Sequence, residues 1–128
     1  MVATDRVSTI FADARAVHAD ALRLLAAGDI RDAAEKAWCA TKRATDALIL
    51  ARTGTEPEIS SDTSIGLAML SEEDNAISPL VGRYYSRQGQ LHGTCFYLGV
   101  CRPVAEIERR IRETADYIHD AENLAGVN

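Results

Sequence analysis

Between Gly28 and Gly54 the chain lays down a long face of very small side chains. Ala33, Ala37, Ala40, Ala44, Leu48 and Ala51 recur at spacings of three and four, and Ala34, Trp38, Thr41, Thr45 and Ile49 run alongside. That recurrence places the residues on one side of an α-helix. Alanine favours the helix and lets a neighbouring helix approach closely, so a compact helical bundle is the expected architecture. The ends of the segment are marked as well. Asp29 follows Gly28 as an N-cap, with Asp32 and Glu35 in the early turns, and Gly54 supplies the left-handed stop.

The remaining segments extend this pattern. Val7, Ile10, Ala14, Val17, Ala21 and Leu24 form a stripe on a first helix that starts near Thr4 or Ser8 and ends at Ala27. The turn at Gly28 is so short that the first two helices must pack antiparallel. Residues 55–62, with Pro57 and a Ser/Asp cluster, read as a loop before a short helix over Thr63–Leu70 and one further turn after Ser71. Ser78 followed by Pro79 signals a new helix with Pro at its first position. Leu80, Tyr84, Leu91, Cys95 and Leu98 then keep helical spacing. Pro103 opens the last helix, which turns Val104, Ile107, Ile111, Ala115, Ile118 and Ala121 inward and ends at Gly126. The expected fold is all-α, an antiparallel bundle of four to five helices with Trp38, Leu48, Ile107, Ile111 and Ile118 inside.

At 128 residues, 47% of them hydrophobic, residues 1–128 read as one domain. No run of about 18 apolar residues is present, so no membrane partner is expected, and the first residues lack the pattern of a secretory leader. Cys39, Cys95 and Cys101 are odd in number and form no CxxC pair. Reduced thiols, a cytoplasmic location and no zinc site are therefore expected. A net charge of −5 argues against general nucleic-acid coating. The charge is uneven, however. Residues 54–75 carry Glu56, Glu58, Asp62, Glu72, Glu73 and Asp74 and no basic residue, whereas residues 79–105 carry Arg83, Arg87 and Arg102 and no acidic one. The second segment is either ordinary surface charge or a local positive face suited to an anion or RNA contact. The sequence around Leu25–Glu35 has the look of a tetratricopeptide turn, but no second copy follows. No glycine-rich phosphate loop or HExxH motif occurs, and no cofactor is expected.

The chemistry, if any, lies in Arg87-Gln-Gly-Gln-Leu-His92. Histidine exchanges protons near neutral pH, and arginine presents a fixed cationic fork to phosphate oxygens. Metal-independent RNA cleavage needs those two roles. On a straight α-helix, residues five apart point roughly 140° away from each other. Convergence therefore needs either a loosening of the helix, with Gly89 between the two residues, or a cleft shared by two chains. Gly82, Gly89 and Gly93 lie on one side, where they permit close packing within the chain or against a second copy. Arg112 and His119, seven apart on the last helix, read as a chance match on a solvent face. His18 reads as a surface histidine and Trp38 as a core plug. Tyr84, Tyr85, Phe96 and Tyr97 suit either core packing or base stacking.

Ala33-x-Glu35-x-x-Trp38-x-Ala40-x-Lys42-x-Ala44, within residues 28–54, resembles the second helix of the HEPN superfamily, and most closely its PaREP1-type branch. Leu91-His92 with Phe96-Tyr97 is similar to that branch's LH…FY segment, and Arg87-x4-His92 fits the superfamily's R-x(4–6)-H pattern. The likeness covers about residues 8–124. It implies a four- or five-helix bundle and a homodimer whose two Arg–His pairs face one cleft. It also implies a metal-independent ribonuclease of a toxin–antitoxin or defence system, with a nucleotidyltransferase antitoxin as a candidate partner. Carried over, Arg87 and His92 are the catalytic pair, and Arg83, Gln88 and Tyr97 are candidate RNA or phosphate contacts. Thr94 stands where one toxin branch has a modifiable tyrosine. The alternative is a non-catalytic helical dimer that binds RNA, a nucleotide or a protein.

Overall fold

The computed structural model describes residues 2–127; Met1 and Asn128, the ends of the span read as one domain, lie outside the described residues. The chain folds into helices only: α1 (Val2–Ala26), α2 (Ile30–Thr53), α3 (Ser60–Glu73), α4 (Ser78–Arg87), a π-helix (Gln88–Tyr97) continuing α4, α5 (Val104–Arg112) and α6 (Thr114–Ala125). No strand is present among the described residues.

Helix α2 is the axis of the bundle and touches every other helix. Its alanines make that possible: Ala33, Ala34, Ala37, Ala40, Ala44 and Ala47 are all fully buried, on more than one side of the helix. Ala51, the last residue of the expected stripe, is exposed. The turn before α2 follows the sequence closely. Gly28 takes φ +88°, and the Asp29 side chain accepts from Asp32 N at 3.1 Å. Gly54 closes α2 at φ +79°, donating its N–H to Leu50 O. The expected interior residues are buried, with Trp38 packed 5.0 Å from the Tyr84 ring.

Several local expectations need correction. Helix α3 begins at Ser60, inside the segment read as a loop, and runs to Glu73. Ser60, Ser61 and Asp62 occupy its first turn, where backbone N–H groups lack helical partners and an acidic side chain is favourable. Ser78 is the first helical residue rather than the cap. Leu98 is 66% exposed, because the helix ends at Tyr97 and the stripe stops with it. The last helix breaks at Glu113, leaving Val104 and Ala115 exposed while Thr114 and Tyr117 are buried. Arg110 O, one turn before the break, accepts from Arg87 Nη2 at 2.9 Å, and a side chain inserted at a helical carbonyl is a recognised cause of such breaks. His18 is not a surface residue: it is 7% exposed and its Nε2 donates to Ile111 O at 2.9 Å. Finally, Cys95 and Cys101 are joined by a disulfide rather than held as free thiols. The turn after Tyr97 doubles the chain back within six residues and brings the two together; Cys39 remains free.

Candidate functional site

Arg87 closes α4 and points into the bundle, where it is 5% exposed. Its Nε donates to Thr41 Oγ1 at 2.9 Å, and its Nη2 donates to Arg110 O and to Thr114 Oγ1. The guanidinium carbon lies 5.9 Å from the Tyr117 ring centre. All these partners are uncharged. Burial among them lowers the guanidinium to about 10, with Arg83 and Arg110 pushing the same way, yet at neutral pH the group is still a cation. Tyr117 in turn donates or accepts with Thr45 Oγ1 at 2.7 Å, and its phenol is pushed far up by burial.

His92 sits in the middle of the π-helix, whose i→i+5 bonding replaces the α-helical ladder from Gln88 onward. This is the loosening that the Arg87–His92 spacing called for, and Gly89 lies within it. Even so, the two side chains reach different stations on α2: Arg87 meets Thr41, and His92 meets Glu35. Those stations are six residues apart, about 9 Å along the helix axis. A single chain therefore does not bring the pair onto one atom.

The imidazole of His92 is fixed by its surroundings. Nδ1 lies 2.7 Å from Glu35 Oε1, and because a carboxylate only accepts, Nδ1 carries the hydrogen. In the neutral ring Nε2 then holds the lone pair, and it has no partner among the described residues. Phe96 stacks on one side of the ring at 6.2 Å, and Trp38 lies 6.3 Å away. The side chain remains 42% exposed. The arrangement is an oriented, solvent-accessible base. Glu35 was read from sequence only as a residue of an early helical turn, since nothing local connects it to a histidine 57 positions away.

The other candidates are placed as follows. Arg83 pairs with Asp120 at 2.7 Å and lies over the Tyr117 ring at 5.3 Å. Gln88 is partly exposed at the start of the π-helix, and Tyr97 is strongly exposed at its end. Arg112 and His119 are both exposed on the closing helices. Around Gly82 and Gly89 there is open space: a Cβ built at either meets nothing within 4 Å, so neither packs against its own chain. Sequence reasoning also missed Arg31. Its Nε donates to Phe96 O at 2.6 Å and its Nη2 to Tyr97 O at 3.1 Å, which caps the last carbonyls of the π-helix. No group of three or more metal-ligating side chains gathers among the described residues.

A family model described as the Archaeal PaREP1/PaREP8 family matches residues 9–94. The chain belongs to this family. The PaREP1/PaREP8 match begins within α1, runs through α4 and enters the π-helix, and so includes Glu35, Arg87 and His92. It stops before Phe96, Tyr97 and the α5–α6 segment that holds Arg87 in place. No curated protein and no solved structure matches the chain.

Proposed function

We propose that this PaREP1/PaREP8 protein is a HEPN-type endoribonuclease that needs no metal and acts as a homodimer in a toxin–antitoxin or defence setting. The observation that carries this reading is His92, held through Nδ1 by Glu35 at 2.7 Å in a side chain that stays 42% exposed. In that state Nε2 accepts the 2′-hydroxyl proton of RNA while the 2′-oxygen attacks phosphorus. The bond from phosphorus to the 5′-oxygen breaks, and that oxygen takes from Nε2 the proton that Nε2 received, giving a 2′,3′-cyclic phosphate and a 5′-hydroxyl. Arg87 supplies positive potential from below the surface, and Arg83, Gln88 and Tyr97 contact the RNA. The open faces of Gly82 and Gly89 are where a second copy approaches, bringing a second His92 and Arg87 to the same cleft. A cytoplasmic nucleotidyltransferase antitoxin is the partner that fits this setting.

The test is incubation of RNA with the purified protein in EDTA. Cleavage is expected, leaving cyclic phosphate ends. His92→Ala should cost at least about 100-fold, the usual scale for an acid–base group. Glu35→Gln keeps the shape but removes the charge that orients the ring, and should cost about 10-fold or more. Arg112→Ala and His119→Ala should cut as wild type does. Equal cleavage by His92→Ala would end the catalytic reading. The second reading, a non-catalytic helical dimer, would then stand; it is favoured by the way Arg87 is consumed by contacts inside its own fold.

A further inference from the structure

Helix α3 carries apolar side chains on both of its sides. The inner side is fixed. Thr63, Leu67 and Leu70 are buried, and the Thr63 hydroxyl donates to Asp46 Oδ1 at 2.6 Å. Gly66 packs so closely that a Cβ there would lie 2.9 Å from Ile49 Cδ1. The outer side is bare: Ile65 is 58% exposed and Met69 55%, and they are neighbours one turn apart. Asp62, Ile65, Met69, Glu72 and Glu73 fall within an outward arc of about 100°. The result is a ridge with an apolar centre and an acidic group at each end. A helix apolar on opposite sides is one that buries both.

The charge on this face is uncompensated. Residues 54–75 contain no lysine or arginine. The bases that reach the segment from α1 and α2 are held by other carboxylates. Arg6 pairs with Glu56, Lys42 with Asp46 and Arg52 with Asp74, while Arg43 pairs with Asp13 at 2.9 Å and lies 3.9 Å from Glu56. Among the described residues, Glu58, Asp62, Glu72 and Glu73 enter no ion pair. A depression of about 430 Å³ lies beside the first turns of α3, between Ile49, Gly66 and Pro57, and its charged lining is Glu56, Glu58 and Asp62 alone.

We propose that the outer face of α3 docks a basic amphipathic helix of a partner protein. Ile65 and Met69 supply the apolar centre, and Asp62 with Glu58 and Glu72 with Glu73 supply the anionic ends. These acids repel the phosphates of RNA and of an anionic membrane, and a two-fold contact between copies of this face would set acid against acid. No strand among the described residues offers an edge to an extended peptide, whereas a helical ridge beside a depression receives another helix. Asp62 and Glu72 stand about 15 Å apart along the helix axis. The partner helix therefore carries two clusters of lysine or arginine about ten residues apart, with leucine-type side chains between them. This face does not include His92, and the proposal does not rest on the ribonuclease reading.

Fluorescence anisotropy with a labelled peptide of leucine and lysine at helical spacing tests it, beside a scrambled peptide of the same composition. The helical peptide should bind at least about 10-fold tighter than the scrambled one, because only it presents an apolar face. Ile65→Ser with Met69→Ser should weaken its binding about 10-fold, the scale of losing interface anchors. Glu72→Gln with Glu73→Gln should weaken it about 3- to 10-fold and flatten its salt dependence. All four positions are exposed, so these variants should melt as wild type does. Leu22→Ser, at an exposed apolar position on α1, should bind as wild type does. Amide shifts of isotope-labelled wild type should move over residues 58–73 as the helical peptide is added, which carries the test if a variant melts early. The proposal is overturned if wild type does not bind the helical peptide, or binds the scrambled one equally well, since bulk charge would then account for binding. It is also overturned if either double variant keeps wild-type affinity, or if the shifts fall outside residues 58–73. Conversion of a wild-type dimer to monomer by Ile65→Ser with Met69→Ser, seen on sedimentation, overturns it too, since a second copy would then cover the face.

Discussion

His18 and Arg87 are both ionisable, both enclosed by the bundle, and both held by carbonyl or hydroxyl oxygens rather than by a carboxylate. For His18, burial lowers the imidazole below its ordinary 6.5, outweighing the hydrogen bond to Ile111 O, with Arg87 adding repulsion. The unfolded chain therefore binds a proton near pH 6.5 that the folded chain refuses, and stability must fall as pH drops through that value. Thermal melts from pH 7.5 to 5 should show a falling Tm, and His18→Gln should flatten the slope over that window. For Arg87, truncation leaves Thr41, Thr114 and Arg110 O facing an empty space. Arg87→Ala should cost roughly 2–4 kcal/mol in denaturant unfolding, the range for losing a buried hydrogen-bonded charge. Loss of activity in that variant counts toward catalysis only if the protein remains folded. Neither enclosure was legible in the sequence. His18 lies at the edge of its stripe, where one position decides between solvent and core, and the partners of Arg87 are distant in the chain.

At the scale of elements, α2 was the most legible, because its alanine spacing, its Asp29 cap and its Gly54 stop all specify the same helix. Trp38→Ala, at its centre, should cost about 3–5 kcal/mol, since it empties the space against Tyr84. A melt unchanged from wild type would mean that the inward face of α2 is misassigned. A loosening at Gly89 was one of two readings the sequence offered, but its π-helical form and the α5–α6 break were not legible. Both depend on where a side chain from another helix lands, and the α5–α6 stripe of Ile107, Ile111, Ile118 and Ala121 reads the same with or without an interruption. The Cys95–Cys101 disulfide escaped for a related reason: its closeness comes from a turn at a helix end that periodicity does not encode. By the size of the loop it closes, Cys101→Ser should lower stability by about 2 kcal/mol.

For the whole molecule, the open glycine face sets a sharp expectation. Gly82→Leu and Gly89→Leu each place a Cβ where the chain itself has nothing within 4 Å, so the monomer should tolerate both. Replacing glycine inside a helix should even raise the melting temperature slightly. Sedimentation velocity at micromolar concentration should nevertheless show wild type as a dimer and both variants shifted toward monomer. Wild type sedimenting as a monomer would remove the basis for a cleft shared by two chains. The all-helical bundle was readable from sequence because each helix announces its own apolar face. The candidate site was readable only in part, since Arg87 and His92 are neighbours in the chain while Glu35, Arg110 and Arg31 reach the region through tertiary packing.

Arg31 and Glu35 are one turn apart on α2, and each grips the π-helix: Arg31 at its last carbonyls, Glu35 at His92. The first two turns of α2 therefore act as a jig that holds both the base and the segment carrying it. If α2 tilts or slides as a rigid rod, His92 and its orienting carboxylate travel together, and the 2.7 Å between them is preserved. The rest of the bundle is then free to breathe, or to adjust to a second copy, without detuning the histidine.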